Sequence, residues 1–183
     1  LMLVQDVAYN GALRDKRRSL HRRALEVIEG RYSGREDEVI ENLAHHAQYA
    51  EQWQKAFGLL ERAGNKAVER SAYSEAIRHF ESALSVSANL PQDNAIIRRT
   101  IDLRLGLRAA FGPMGELVRM YDHLAAAEKD AEALDDPDAL AAVKTAQTFV
   151  FTLNGDLEDA VEAGYRAVKI AAGSSSPDLK ATA

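Results

Sequence analysis

Apolar residues recur at steps of three and four along almost the whole chain, the period of helices that bury one face. With its breaks, the pattern predicts about nine helices, over residues 3–11, 14–30, 37–50, 53–70, 73–88, 93–111, 115–134, 138–153 and 157–172. The breaks carry recognisable chemistry. EGRYSGRED interrupts the second helix, and Gly112-Pro113 is expected to end the sixth. Asp136-Pro137 and Ser176-Pro177 each set a capping residue before a proline at the first helical position. Asn154-Gly155-Asp156 is a tight-turn tripeptide. No stretch alternates Val, Ile or Thr between hairpin turns, so no strand is predicted.

Small and large side chains follow one another in a repeating order. Ser71, Ala72, Tyr73, Ala76, Phe80, Ala83 and Leu84 match Gly155, Asp156, Leu157, Ala160, Gly164, Ala167 and Val168 in register. Trp53, Ala56, Leu60 and Ala63 form a third copy. Gly112, Met114, Leu117, Tyr121 and Leu124 form a fourth, looser one. Where two helices cross closely, a small side chain on one admits a large one from the other. Ala76 and Ala83 are therefore expected at close crossings, with Tyr73, Phe80 and Leu84 filling the gaps.

This order resembles the tetratricopeptide repeat, a 34-residue helix–turn–helix unit. The resemblance implies an all-α fold of antiparallel helix pairs stacked as an αα-superhelix. By analogy with ordinary repeats, a partner-binding groove would include Asn65, Glu69, Thr145, Phe149 and Thr152. A second resemblance covers nearly the whole chain. LVQDVAYNGALRDKRRSLHRRALEVIE, with Asp6, Ala8-Tyr9, Leu13, Arg17-Arg18, Leu20-His21-Arg22 and Ala24, is similar to a segment of large bacterial signalling ATPases. There it follows the nucleotide-binding and winged-helix-like parts and leads into helical repeats. LAHHAQYAEQWQKAFGLLERAGNKAVERSAYSEAI and LGLRAAFGPMGELVRMYDHLAAAEKDAEALDDP look like later parts of the same proteins. The likeness is greatest to those with an adenylate/guanylate cyclase domain first, an ATPase second and repeats last. It implies a cytoplasmic signal-transduction protein, with residues 1–35 as a connecting helical arm and 36–183 as repeats truncated at the C-terminus. Leu1 at the start, and a helix signal so close to the end, fit a piece of a longer chain.

Composition changes this picture little. Ala, Leu, Glu and Arg favour helix, and 4 prolines and 11 glycines leave room for long ones. Cysteine is absent, which removes disulfides and thiolate metal sites. No apolar run reaches the roughly 18 residues of a membrane span. Charge is uneven: residues 1–110 hold 17 Lys/Arg against 15 Asp/Glu, and residues 111–183 hold 6 against 13. The acidic half reads as a solubility feature.

Candidate chemistry is sparse. GLLERAGNK, from Gly58, has five residues between its glycines and Asn65 where a P-loop needs Lys, so no nucleotide site is expected. Neighbouring histidines on a helix point about 100° apart. His45 and His46 are therefore not expected to share an ion; one is read as packing between helices and the other as solvated. His21, His79 and His123 read as isolated. Neither metal nor cofactor is expected. An enzyme using His45 or His46 is the dissenting reading, and it requires stoichiometric metal. Arg14, Lys16, Arg17, Arg18, Arg22 and Arg23 form a basic patch on the second helix. They read as a solvated face, or as a surface docking on the parent's own ATPase domain. A nucleic-acid site in a transcriptional regulator is the alternative, although aromatics that stack bases are missing there. The leading expectation is a non-catalytic protein- or peptide-binding module.

Overall fold

The computed structural model describes residues 2–173, with side chains from residue 14 onward. The helical periodicity is realised as eight α-helices, with no strand among the described residues. They are α1 Met2–Arg31, α2 Ile40–Tyr49, α3 Trp53–Glu69, α4 Tyr73–Ser87, α5 Asn94–Met114, α6 Leu117–Ala133, α7 Pro137–Asn154 and α8 Leu157–Gly173. A short 3-10 turn, Glu36–Val39, precedes α2. Two of the expected helices, 3–11 and 14–30, are one continuous helix, because Gly11 weakens a helix without stopping it. The Ser176-Pro177 helix start lies outside the described residues.

The stops have a common construction. After α2, α3, α5, α6 and α7 a residue turns left-handed: Glu51, Ser71, Gly115, Asp135 and Gly155. The next N–H then bonds back five residues, from Gln52 to Ala47, Ala72 to Ala67, Glu116 to Phe111, Asp136 to Ala131 and Asp156 to Phe151. This is the Schellman stop, which satisfies carbonyls that the helix end leaves open. The following helix starts at the very next residue, so consecutive helices fold back on each other. Gly112-Pro113 does not end α5 as expected. The helix runs on to Met114, and Gly115 is the stop. At α7, Asp136 does cap as expected, accepting the Ala139 N–H at 2.9 Å.

Every helix packs against its neighbour in sequence, and α3–α4, α5–α6 and α7–α8 are closely joined pairs. The first helices of these pairs also touch across the stack, α3 with α5 and α5 with α7. They begin at Trp53, Asn94 and Pro137, so successive pairs are 41 and 43 residues apart. That is longer than 34, because the helices themselves run to 15–21 residues.

The small residues sit at the crossings. Ala56, Ala63, Ala76, Ala83, Ala160 and Ala167 are all buried. Phe80, 1% exposed, projects from α4 onto Gly64 of α3 and Gly106 of α5. The main core runs from Leu25 of α1 to Val150 of α7. A satellite cluster of Ile101, Ala127, Ala131, Ala139 and Val143 joins α5, α6 and α7. No helix among the described residues is long and apolar enough to cross a membrane.

Candidate functional site

The row of first helices forms a face with α5 at its centre. Arg99 of α5 pairs with Glu61 of α3 and lies 4.4 Å from the Phe57 ring centre. Arg108 of α5 sits 5.6 Å from the ring of Phe149 on α7. The five groove residues expected from sequence fall in two groups on this row. Asn65 lies one turn after Glu61, Glu69 one turn further, and both are exposed on α3. Thr145, Phe149 and Thr152 follow one another at four- and three-residue steps, and all are exposed on α7. The threonine hydroxyls donate back to the carbonyls of Ala141 and Thr148, at 2.9 and 2.8 Å. Their oxygens remain able to accept. α5 separates the two groups, so together they describe a broad face rather than one cleft.

Two features went unread in the sequence. The first is an apolar cleft of about 330 Å³ lined by Leu117, Val118 and Tyr121 of α6 and Val150 and Phe151 of α7, with Asp156 and Asp159 at its rim. On α8, separately, Leu157, Val161 and Tyr165 are exposed while Ala160, Ala163, Ala167 and Ala171 are buried. The signal was available: α8 is apolar on two faces, and its alanines take the inner one. The second feature is a buried triangle. Lys144 of α7 donates to Glu128 of α6 and to Gln147, at 3.2 Å, and Gln147 donates to Glu128 at 2.6 Å. Burial raises the Glu128 pKa. The hydrogen bonds from Lys144 and Gln147 outweigh that and leave the carboxyl below its ordinary value.

The basic patch is not uniform. Arg14 and Arg18 both reach Glu51, at 2.9 and 3.1 Å, in the stop between α2 and α3. Arg17 lines a depression with Tyr49 and Trp53. Lys16, Arg22 and Arg23 are exposed. Arg14 and Arg18 are thus used within the fold.

The histidines depart from expectation in one respect. His46 is half-buried between α1 and α2, and His45 is exposed, as read. His21 is not isolated. Its ring centre lies 5.5 Å from that of His45 and 5.0 Å from that of His46, and Tyr49 stacks on it at 5.0 Å. Residues 25 apart in sequence meet because α1 and α2 pack side by side. Burial, then the neighbouring positive charge, holds His21 and His46 below the usual imidazole pKa. Elsewhere, His123 stacks on Phe111 at 5.6 Å and faces Glu81 at 3.7 Å. His79 is buried, and its Nε2 has no hydrogen-bond partner.

The fold and these surfaces define an all-α protein of helical-repeat type. No protein-family model matches the chain, and a search of curated proteins finds no relative.

Proposed function

We propose that the chain is a non-catalytic, partner-binding repeat module from a bacterial signal-transduction ATPase, one linked to a nucleotide cyclase. One observation carries the binding reading. Three first helices lie side by side and leave Asn65, Glu69, Thr145, Phe149 and Thr152 open to a protein or peptide. Such residues form a surface of mixed polarity with an aromatic anchor, which suits recognition of another chain. The tetratricopeptide likeness and the ATPase parentage rest on the sequence resemblances, and the 41- and 43-residue spacing of the pairs departs from the 34 residues of that repeat. The nucleic-acid alternative is weakened by Arg14 and Arg18, which already neutralise Glu51.

The test uses the chain as bait in three forms: unmodified, with Asn65→Lys, Thr145→Lys and Phe149→Glu on the face, and with Arg17→Glu, Arg18→Glu and Arg22→Glu on the arm. A specific protein retained by the unmodified and arm-variant chains, and lost by the face variant, supports the reading. Retention of nucleic acid that disappears with the arm variant and falls steeply with salt overturns it.

A further inference from the structure

Three imidazoles converge where the connecting helix meets the repeats. His21 comes from α1, and His45 and His46 come from α2. Each offers a ring nitrogen, and the three nitrogens lie within 4.8 Å of one another. The ring centres stand 5.0, 5.3 and 5.5 Å apart, close to an equilateral triangle. A tetrahedral ion fixes what those separations must be. With metal–nitrogen bonds of about 2.0–2.1 Å, and each ring centre about 1.2 Å beyond its nitrogen, ring centres fall about 5.2 Å apart and nitrogens about 3.3 Å apart. The rings already stand at the required separation. A turn about the Cβ–Cγ bond re-aims a ring's nitrogens while leaving its centre nearly in place.

Two of the nitrogens make the point more sharply. The Nδ1 atoms of His21 and His46 face each other at 2.9 Å. In the free chain one Nδ1–H can donate to the other Nδ1 at that distance, and a cation would take the place of that proton. The adjacency of His45 and His46 is no obstacle, because His21 stands between the two directions in which they point. Tyr49 packs on both His21 and His45, at 5.0 and 4.6 Å, and restricts their rings. Arg14 and Arg18 direct their charge to Glu51 rather than to the cluster. Arg17, one turn before His21, opposes a cation, so the open fourth position favours hydroxide or chloride over a neutral ligand.

We infer that His21, His45 and His46 form a binding site for a late first-row divalent ion, with zinc as the reference ion, that ties α1 to α2. Three neutral nitrogen donors select zinc, copper or nickel over magnesium and calcium, which require oxygen.

The experiment uses the full chain freed of any histidine tag and stripped with chelator. Zinc is titrated by calorimetry, cobalt by its visible spectrum, and magnesium serves as control. One ion per chain, with the cobalt bands of a four-coordinate site and no uptake of magnesium, is the expected result. His21→Gln, His45→Gln and His46→Gln, each checked for unchanged helicity, should each weaken zinc by about tenfold or more. Zinc should also raise the melting temperature of the unmodified chain and not that of His21→Gln. Absence of stoichiometric uptake, or uptake that survives His21→Gln, overturns the site. Cobalt bands of a six-coordinate ion place it on surface carboxylates instead and overturn it equally.

Discussion

Replacing Gly64 by alanine should destabilise the chain, while the same change at Gly106 should stabilise it. Both glycines face the ring of Phe80, but at different distances. A methyl on Gly64 would lie 2.4 Å from Cε1, 2.5 Å from Cδ1 and 2.9 Å from Cζ of Phe80. One on Gly106 would meet that ring at 3.5 Å and beyond. Carbon atoms rest at about 3.5–4.0 Å, so Gly64→Ala forces the ring or α3 aside by about 1 Å, whereas Gly106→Ala makes an ordinary contact. Phe80 is 1% exposed and cannot swing into solvent. Overpacking of this kind costs about 1–3 kcal/mol, with the near-total overlap favouring the upper half. Alanine's better helix propensity returns about 1 kcal/mol at either site. The net is a loss of about 1–2 kcal/mol at Gly64 and a gain of up to about 1 kcal/mol at Gly106. For a chain of this size, each kcal/mol moves the melting temperature by roughly 2–4 °C. Thermal unfolding followed by circular dichroism reads both signs directly. The double variant sharpens the test. Phe80 can escape an alanine at 64 only toward the space beside Gly106, so filling that space should make the pair cost more than the two changes added. A Gly64→Ala chain that melts at or above the unmodified one would refute the reading that Phe80 is clamped between two glycines.

Three further outcomes follow from the same geometry. Asp136→Ala removes both the cap on Ala139 and the pair with Arg98, and should cost about 1–2 kcal/mol in urea unfolding, with Asp136→Asn recovering the cap share. Ser71→Gly relieves a left-handed residue at φ 59° and should raise the melting temperature, because a side chain there costs about 1–2 kcal/mol. His79 is held below its ordinary pKa of 6.5 by burial first and then by Arg78. The unfolded chain therefore takes up a proton that the folded one resists, and stability falls as pH drops through 6.5. His79→Leu should flatten that slope in melts recorded between neutral pH and about pH 5.

What the sequence made legible, and what it hid, divides along a physical line. Signals local to one helix were readable: the apolar period, the cap at Asp136, the stop at Gly155, and the buried alanines at Ala56, Ala63, Ala76, Ala83, Ala160 and Ala167. The ends of α2, α3 and α6 fall within a residue of their expected places although no glycine fills the left-handed position there, whereas the stop at Gly115 was missed. Glu51, Ser71 and Asp135 adopt the same conformation with side chains that pay its strain. Here the closing hydrogen bonds to Ala47, Ala67 and Ala131 decide, not residue preference. Conversely, Gly112-Pro113 looked like a stop and is not, since the left-handed residue comes only at Gly115. His21 was set apart from His45 and His46 because more than 20 residues of sequence separate them and their meeting depends on how α1 packs on α2. Once Leu25 is anchored in the core, His21 lies one turn earlier and points to the same neighbour. The groove residues were placed by analogy, and they lie exposed on two helices, α3 and α7. Asn65 and Glu69 stand across α5 from Thr145, Phe149 and Thr152. Between them α5 sets Arg99, already paired with Glu61, and Arg108, which lies over the Phe149 ring.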